Sequence, residues 1–131
     1  MEEKVLSSGL EDYLECIYNS LQHNGKVKAI EISKELGVSR ASVTDALHRL
    51  AEKNYINYER YGSIEITQKG IDKAQEVIDK HTILTDFFEK VLLLSREEAS
   101  ENACRIEHVI TKNAFNRLKE FIVSHSGKIN D

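Results

Sequence analysis

Apolar residues recur at helical spacing through most of this 131-residue chain, and the places where that period breaks divide it into elements. Leu10, Tyr13, Leu14, Ile17 and Leu21 predict a first helix over about 9–23, with Ser8 and Glu11 at capping-box spacing ahead of it and His23-Asn24-Gly25-Lys26 to end it. Ile30, Ile32 and Leu36 mark a shorter helix over about 29–36 that Gly37 closes as its C-terminal cap. Ser39 then caps a third helix, about 40–53, whose inward positions are Val43, Ala46, Leu47 and Leu50. Two helices joined by the short turn Gly37-Val38-Ser39 have helix-turn-helix spacing. The period next drops to two. Tyr55-Ile56-Asn57-Tyr58 and Ile64-Glu65-Ile66-Thr67 flank Arg60-Tyr61-Gly62-Ser63, which reads as a β-hairpin, a wing after the helix-turn-helix. Helical periodicity returns from Gln68 to about Leu94, Ser95-Arg96-Glu97-Glu98 offers a second capping box for a helix to about Thr111, and Ala114 to Ser124 makes the last one. The expected fold class is mainly α: a winged helix-turn-helix domain with a small β-hairpin wing over about 1–72, then an all-helical domain over about 73–131.

Composition narrows this picture. With 40% apolar residues the chain has material for one domain or two small ones, not for a large multidomain enzyme. Charged residues make up 31% and no apolar run exceeds about six residues, which argues against both a membrane span and a disordered tail. Proline is absent, so nothing forbids long helices. The opening Met1-Glu2-Glu3-Lys4 leads into no long apolar stretch, so the expectation is a cytoplasmic protein without a secretory signal. Cys16 and Cys104 are too few for a disulfide framework and stay thiols in a reducing compartment, able to bind metal. The net charge of −4 opposes a nucleic-acid partner, but its distribution does not. Between Lys26 and Arg60 seven basic residues face five acidic ones, and the rest of the chain carries the acidic excess. A mildly basic island in an acidic chain implies a localised anion-facing patch, with carboxylates elsewhere to bind cations.

At about 100° per residue, Val43, Leu47 and Leu50 fall on one side of the third helix and Ala41, Asp45 and His48 on the other. Ser39, Arg40, Ala41, Ser42, Thr44 and Asp45 crowd its N-terminal end, where a recognition helix meets base edges. Arg49 is placed to hold a phosphate, and Arg60 and Tyr61 at the hairpin tip to touch the backbone or minor groove. A single polar helix face is ordinarily just solvated. The complete order of helix, helix-turn-helix and hairpin turns the reading toward double-stranded DNA, with Asp45 the residue least suited to phosphates.

Cys104, Glu107 and His108 are spaced i, i+3, i+4, so a helix there presents a thiolate, a carboxylate and an imidazole together. Ala99, Ala103, Ile106 and Ile110 form a different stripe, which weakens the reading of Cys104 as a small core hydrophobe. Asp12 and Glu15 lie on the first helix opposite Leu10, Leu14, Ile17 and Leu21; carboxylates so placed are usually solvated. His81, taken alone, reads as a surface or hydrogen-bonded histidine. Together Asp12, Glu15, His81, Cys104, Glu107 and His108 supply six ligands of the kinds divalent first-row metals accept. Cys16, on the polar side of the first helix, is a weaker candidate, and His23, His48 and His125 have no comparable neighbours.

These segments resemble the iron- and manganese-dependent repressors typified by the diphtheria toxin repressor and the manganese transport regulator. The likeness runs through Asp12-Tyr13-Leu14-Glu15-Cys16-Ile17-Tyr18, Val38-Ser39-Arg40-Ala41-Ser42-Val43-Thr44, Thr67-Gln68-Lys69-Gly70 and Ala103-Cys104-Arg105-Ile106-Glu107-His108-Val109, in order and over almost the whole chain. The resemblance implies a winged-helix N-terminal domain and a helical dimerisation domain that share a metal site, with operator DNA bound by a homodimer when metal is present. It implies that Asp12 and Glu15 are manganese-type ligands and that His81, Glu107 and His108 match ligands of both branches. Cys104 is similar to the iron-type branch, where the manganese type carries Glu. Thr85 and Ser100 stand where iron-type members carry ancillary ligands, so a second site looks incomplete. No SH3-like domain is expected after the last helix.

The cofactor expected is Fe²⁺ or Mn²⁺, with Co²⁺, Zn²⁺ or Ni²⁺ able to substitute in vitro. The function expected is a repressor of metal-ion homeostasis, with no membrane and no small-molecule substrate, in which metal fixes the spacing of two recognition helices to half-sites about 34 Å apart. A metalloenzyme is the weaker reading, because neither paired Glu-x-x-His nor His-Glu-x-x-His occurs. The alternative is a metal-independent winged-helix regulator in which Cys104 is structural or redox-sensing.

Overall fold

The computed structural model describes residues 6–59 and 62–130, the side chains of 126–130 excepted. Helices α1 (Ser8–Asn24), α2 (Ala29–Leu36) and α3 (Arg40–Glu52) precede strands β1 (Ile56–Tyr58) and β2 (Ile64–Ile66). Helices α4 (Gln68–Asp86), α5 (Arg96–Ile106) and α6 (Lys112–Asn130) follow, with a π-helical segment, Phe87–Val91, continuing α4. The chain forms two compact units, Met1–Gln75 and Glu76–Asp131, so the boundary falls within α4. The fold is mostly helical with a two-stranded antiparallel hairpin, and the helix-turn-helix with its wing is present in the first unit.

Local chemistry explains the element ends. Ser7 rather than Ser8 caps α1, its hydroxyl accepting from Leu10 N at 3.3 Å. Two adjacent serines offer the same chemistry, and extended backbone at Ser7 (φ −65°, ψ 154°) decides between them. Gly37 ends α2 in the left-handed region at φ 67°, and Ser39 caps α3 by accepting from Ser42 N at 3.1 Å. The chain therefore turns over the three residues Gly37, Val38 and Ser39, and α3 packs against α2.

The first unit buries Leu14, Ile17, Ile32, Val43, Leu47, Leu50 and Ile56 completely or nearly so, the inward stripes of all three helices meeting the hairpin. The hairpin pairs Ile56 with Ile66, Asn57 with Glu65 and Tyr58 with Ile64. Arg60 and Tyr61 at its tip lie outside the described residues. Cys16, expected on the polar side of α1, is instead a core residue, because α1 is covered on more than its main apolar stripe. Glu11 is buried as well, with Lys73 of α4 3.7 Å from its carboxylate.

In the second unit Leu84, Ala103 and Phe115 form the core with Ile83, Ile106, Ile110 and Leu118 packed against it. Two boundaries differ from the periodicity. The expected helix to Leu94 widens at Phe87–Val91, where Leu92 N bonds Phe87 O, and ends with Leu93 at φ 62°. The helix expected to reach Thr111 stops at Ile106, with a turn over 107–109, because Thr111 starts α6: its hydroxyl accepts from Ala114 N at 3.2 Å. Among the described residues no helix is long and apolar enough to cross a membrane.

A tight joint links the hairpin to α4. Thr67 Oγ1 donates across Asn54 O and Tyr55 O and accepts from Gly70 N at 3.1 Å, while Lys69 Nζ caps α3 at Lys53 O, 2.9 Å away, over the Tyr55 ring. A Cβ on Gly70 would fall against Tyr55 O and 2.7 Å from Ile66 Cγ1. Backbone cannot yield as a flexible side chain does, so Gly70→Ala is expected to destabilise the protein by about 1–3 kcal/mol. A denaturation midpoint equal to wild type would show that the joint relaxes freely.

Candidate functional site

The outward face of α3 is mostly polar and exposed. Ser39, Arg40, Ala41, Ser42, Thr44, Asp45, His48 and Arg49 are all exposed, while Val43, Ala46, Leu47 and Leu50 anchor the helix from behind. Ser39 is committed to its cap, and its hydroxyl donates to Ser42 Oγ at 2.9 Å. Asp45 and Arg49 pair one turn apart at 2.9 Å. The edge of the His48 ring meets Tyr58 of β1, centroids 5.4 Å apart, which braces α3 against the wing. A cleft of about 570 Å³ opens between the helix-turn-helix and the hairpin, lined by Lys28, Ala29, Ile30, Arg40, Thr44, Tyr58 and Gly62. Lys28 was missed by the periodicity argument. It is the N-cap residue of α2, its N–H donating to Glu31 Oε1 at 2.8 Å, and it lines the same cleft as Arg40.

The candidate ligands fall in both units and are described unit by unit. In the first, Asp12 is exposed and Glu15 half-buried on α1. In the second, His81 of α4, Glu107 at the end of α5 and His108 in the following turn come together. Glu107 Oε1 accepts from His81 Nδ1 at 2.7 Å, and Glu107 Oε2 stands 3.7 Å from His108 Nε2, a distance too long for a hydrogen bond. Only 3% of the Glu107 side chain and 9% of that of His108 are exposed. Ser100 Oγ lies 3.2 Å from His81 Nε2, and Thr85 Oγ1 donates to His81 O at 2.7 Å. Because a carboxylate only accepts, a neutral His81 carries its proton on Nδ1 and keeps its Nε2 lone pair toward the Ser100 hydroxyl.

The helix end at Ile106 changes the expected one-face arrangement. Cys104 remains on α5 and is exposed, whereas Glu107 and His108 lie beyond the helix and are turned inward. Among the described residues no three His, Cys, Asp or Glu side chains surround a common point. His81 and Glu107 face one another in a hydrogen bond, and His108 Nε2 stands 3.7 Å from the same carboxylate. Their chemistry nevertheless fits a divalent cation: a buried carboxylate beside two imidazoles is a hard-to-borderline donor set, and a carboxylate on one nitrogen of a histidine orients the other for a metal. The hydroxyls of Thr85 and Ser100 are both engaged with His81.

Cys16 belongs to none of this. Its thiol donates to Glu35 Oε2 at 3.0 Å, and burial, reinforced by that carboxylate, pushes its pKa from 9.0 up to about 12.

A helix-turn-helix with a wing, followed by a helical unit in which His81, Glu107 and His108 approach one another, is the architecture of a DNA-binding protein whose second unit carries metal-type donors. Comparison with known proteins agrees. Residues 5–64 match the model described as iron dependent repressor, N-terminal DNA binding domain, and residues 67–125 that described as iron dependent repressor, metal binding and dimerisation domain. The chain belongs to the iron-dependent repressor family, and so to a class of metal-dependent transcriptional regulators rather than enzymes. It is 36% identical over 125 residues to an uncharacterized HTH-type transcriptional regulator of Methanocaldococcus jannaschii, covering 95% of this chain and 100% of that one. It is 30% identical over 113 residues to the HTH-type transcriptional regulator MntR of Shouchella clausii, covering 86% and 78%. Among solved structures it is similar to the manganese regulator SloR, with a TM-score of 0.76 at 25% identity over 86% of this chain; the chain spans 53% of that protein.

The two thiols should separate in reactivity. Thiolate is the reactive form, so at pH 8 iodoacetamide is expected to modify exposed Cys104 and spare Cys16 until the protein unfolds. The raised pKa also sets a sign. The Cys16 contribution to stability is complete below pH 9 and declines as pH rises toward 12, where the unfolded thiol is ionised and the folded one is not. Equal alkylation of both cysteines in the folded protein, read by peptide mass, would contradict the buried thiol.

Proposed function

We propose that the protein represses genes of metal-ion homeostasis, binding operator DNA as a homodimer when loaded with Fe²⁺ or Mn²⁺. The observation that carries this reading is Glu107, a carboxylate 3% exposed with imidazoles at 2.7 and 3.7 Å. A buried carboxylate is retained only where positive or hydrogen-bonding partners compensate its lost hydration, and here these are two imidazoles. A divalent cation would supply positive charge at that carboxylate when bound. His81, Glu107 and His108 are the residues of the second unit that would hold it, with Cys104 on the preceding turn. Asp12 and Glu15, exposed and half-buried on α1, complete the set by resemblance. The donor types suit both ions, and Co²⁺, Zn²⁺ or Ni²⁺ would compete in vitro.

The division of labour follows from the chain. α3 with Arg40, Ala41, Thr44 and Asp45 addresses base edges, and Arg49, with Arg60 and Tyr61 of the wing, the backbone. The helical domain dimerises and carries the ligands. The domain division proposed is 1–72 for DNA binding and 73–131 for metal binding and dimerisation, in the cytoplasm.

Glu107→Ala should abolish metal-stimulated operator binding while the circular dichroism of the folded protein is retained. A coupling of about 1–3 kcal/mol between metal and DNA corresponds to a roughly 5- to 150-fold loss of affinity. Anaerobic gel-shift titrations with Mn²⁺, Fe²⁺ or chelator measure it. Affinity unchanged by the substitution and by chelator would favour the metal-independent regulator instead.

A further inference from the structure

The pairing of Asp45 with Arg49 extends the DNA-binding reading, on which it rests, to the base that is read. Between Arg40 and Arg49 the sequence holds one acidic residue, and the Asp45 side chain is 65% exposed. A carboxylate on a helix face that approaches DNA is repelled by every phosphate, so it lowers affinity for all sequences unless it gains something at one of them. Two features supply that gain. Arg49 Nε donates to Asp45 Oδ2 at 2.9 Å, which offsets the charge and restricts the side chain while Oδ1 keeps its acceptor lone pairs. The neighbouring outward positions Ala41 and Ser42 are short and exposed, so a base edge can approach the carboxylate.

In the major groove an acceptor has two amino groups to meet, N4 of cytosine and N6 of adenine. Adenine sets its N7 acceptor beside N6, which repels a carboxylate; cytosine sets no acceptor there. Position along α3 agrees, since Asp45 lies in the N-terminal half of the helix, where recognition helices meet bases. We propose that Asp45, steadied by Arg49, is a specificity-determining residue that selects a cytosine in each operator half-site by accepting a hydrogen bond from its N4 amino group.

The test is a selection from randomised DNA duplexes with the full chain in Mn²⁺, comparing wild type, Asp45→Ala and Asp45→Asn. Wild type should enrich sites with a fixed C·G pair in each half-site, at which it discriminates by roughly 5- to 150-fold. Asp45→Ala should bind those sites with that one preference reduced to near parity and all others kept. Asp45→Asn should move it toward A·T, because an amide pairs with adenine N6 and N7. Identical enrichment by all three proteins would overturn the inference and leave the DNA-binding reading intact. Enrichment of no sequence by wild type would overturn that reading itself.

Discussion

A carboxylate withdrawn from water must be compensated, and Glu107 is where the second unit meets that requirement. Burial of an unpaired carboxylate is costly enough that the group would otherwise neutralise or turn outward. Here the end of α5 at Ile106 turns Glu107 and His108 inward, and α4 presents His81 to meet them. The packing of Leu84, Ala103 and Phe115 holds these segments together. The hydrogen bond from the His81 imidazole satisfies one oxygen. The arrangement is therefore held by its own hydrogen bond, and the cation proposed above would add positive charge beside it.

The first unit has the opposite character, a surface kept stiff from behind. α3 is fixed by a fully apolar inner face, by the Gly37 reversal, and by the Thr67, Lys69 and Gly70 joint at its far end. Apart from the Ser39 cap and the His48 contact with Tyr58, the outward polar positions of α3 take no part in holding it. Asp45 and Arg49 illustrate the point: a weak exposed ion pair adds little to stability, and its value lies in what it presents.

Much of this was legible in the sequence because the informative signals were local. Gly37, Ser39 and Ser95 end or begin helices by capping chemistry that acts within three residues, and the hairpin shows as a change of period. Ser7 displaced Ser8 because the two are chemically equivalent and only backbone geometry separates them. Cys16 was misplaced because a helical wheel shows one apolar stripe, whereas α1 is covered more widely and Glu35 of α2 reaches its thiol. The end of α5 was hidden because Thr111 competes for the following residues, a cap whose partner, Ala114 N, belongs to the next helix. For the candidate site, spacing identified the residue types, but the hydrogen bonds of His81 to Glu107 and Ser100 depend on packing across 26 and 19 residues.

The most direct measurement of the central claim is Mn²⁺ binding followed by the loss of the free-ion electron paramagnetic resonance signal, with wild type and His81→Ala compared at equal concentration. The account predicts that wild type quenches the signal in the concentration range that also raises operator affinity, and that His81→Ala does neither. Equal quenching by both proteins would place the ion elsewhere and contradict the account.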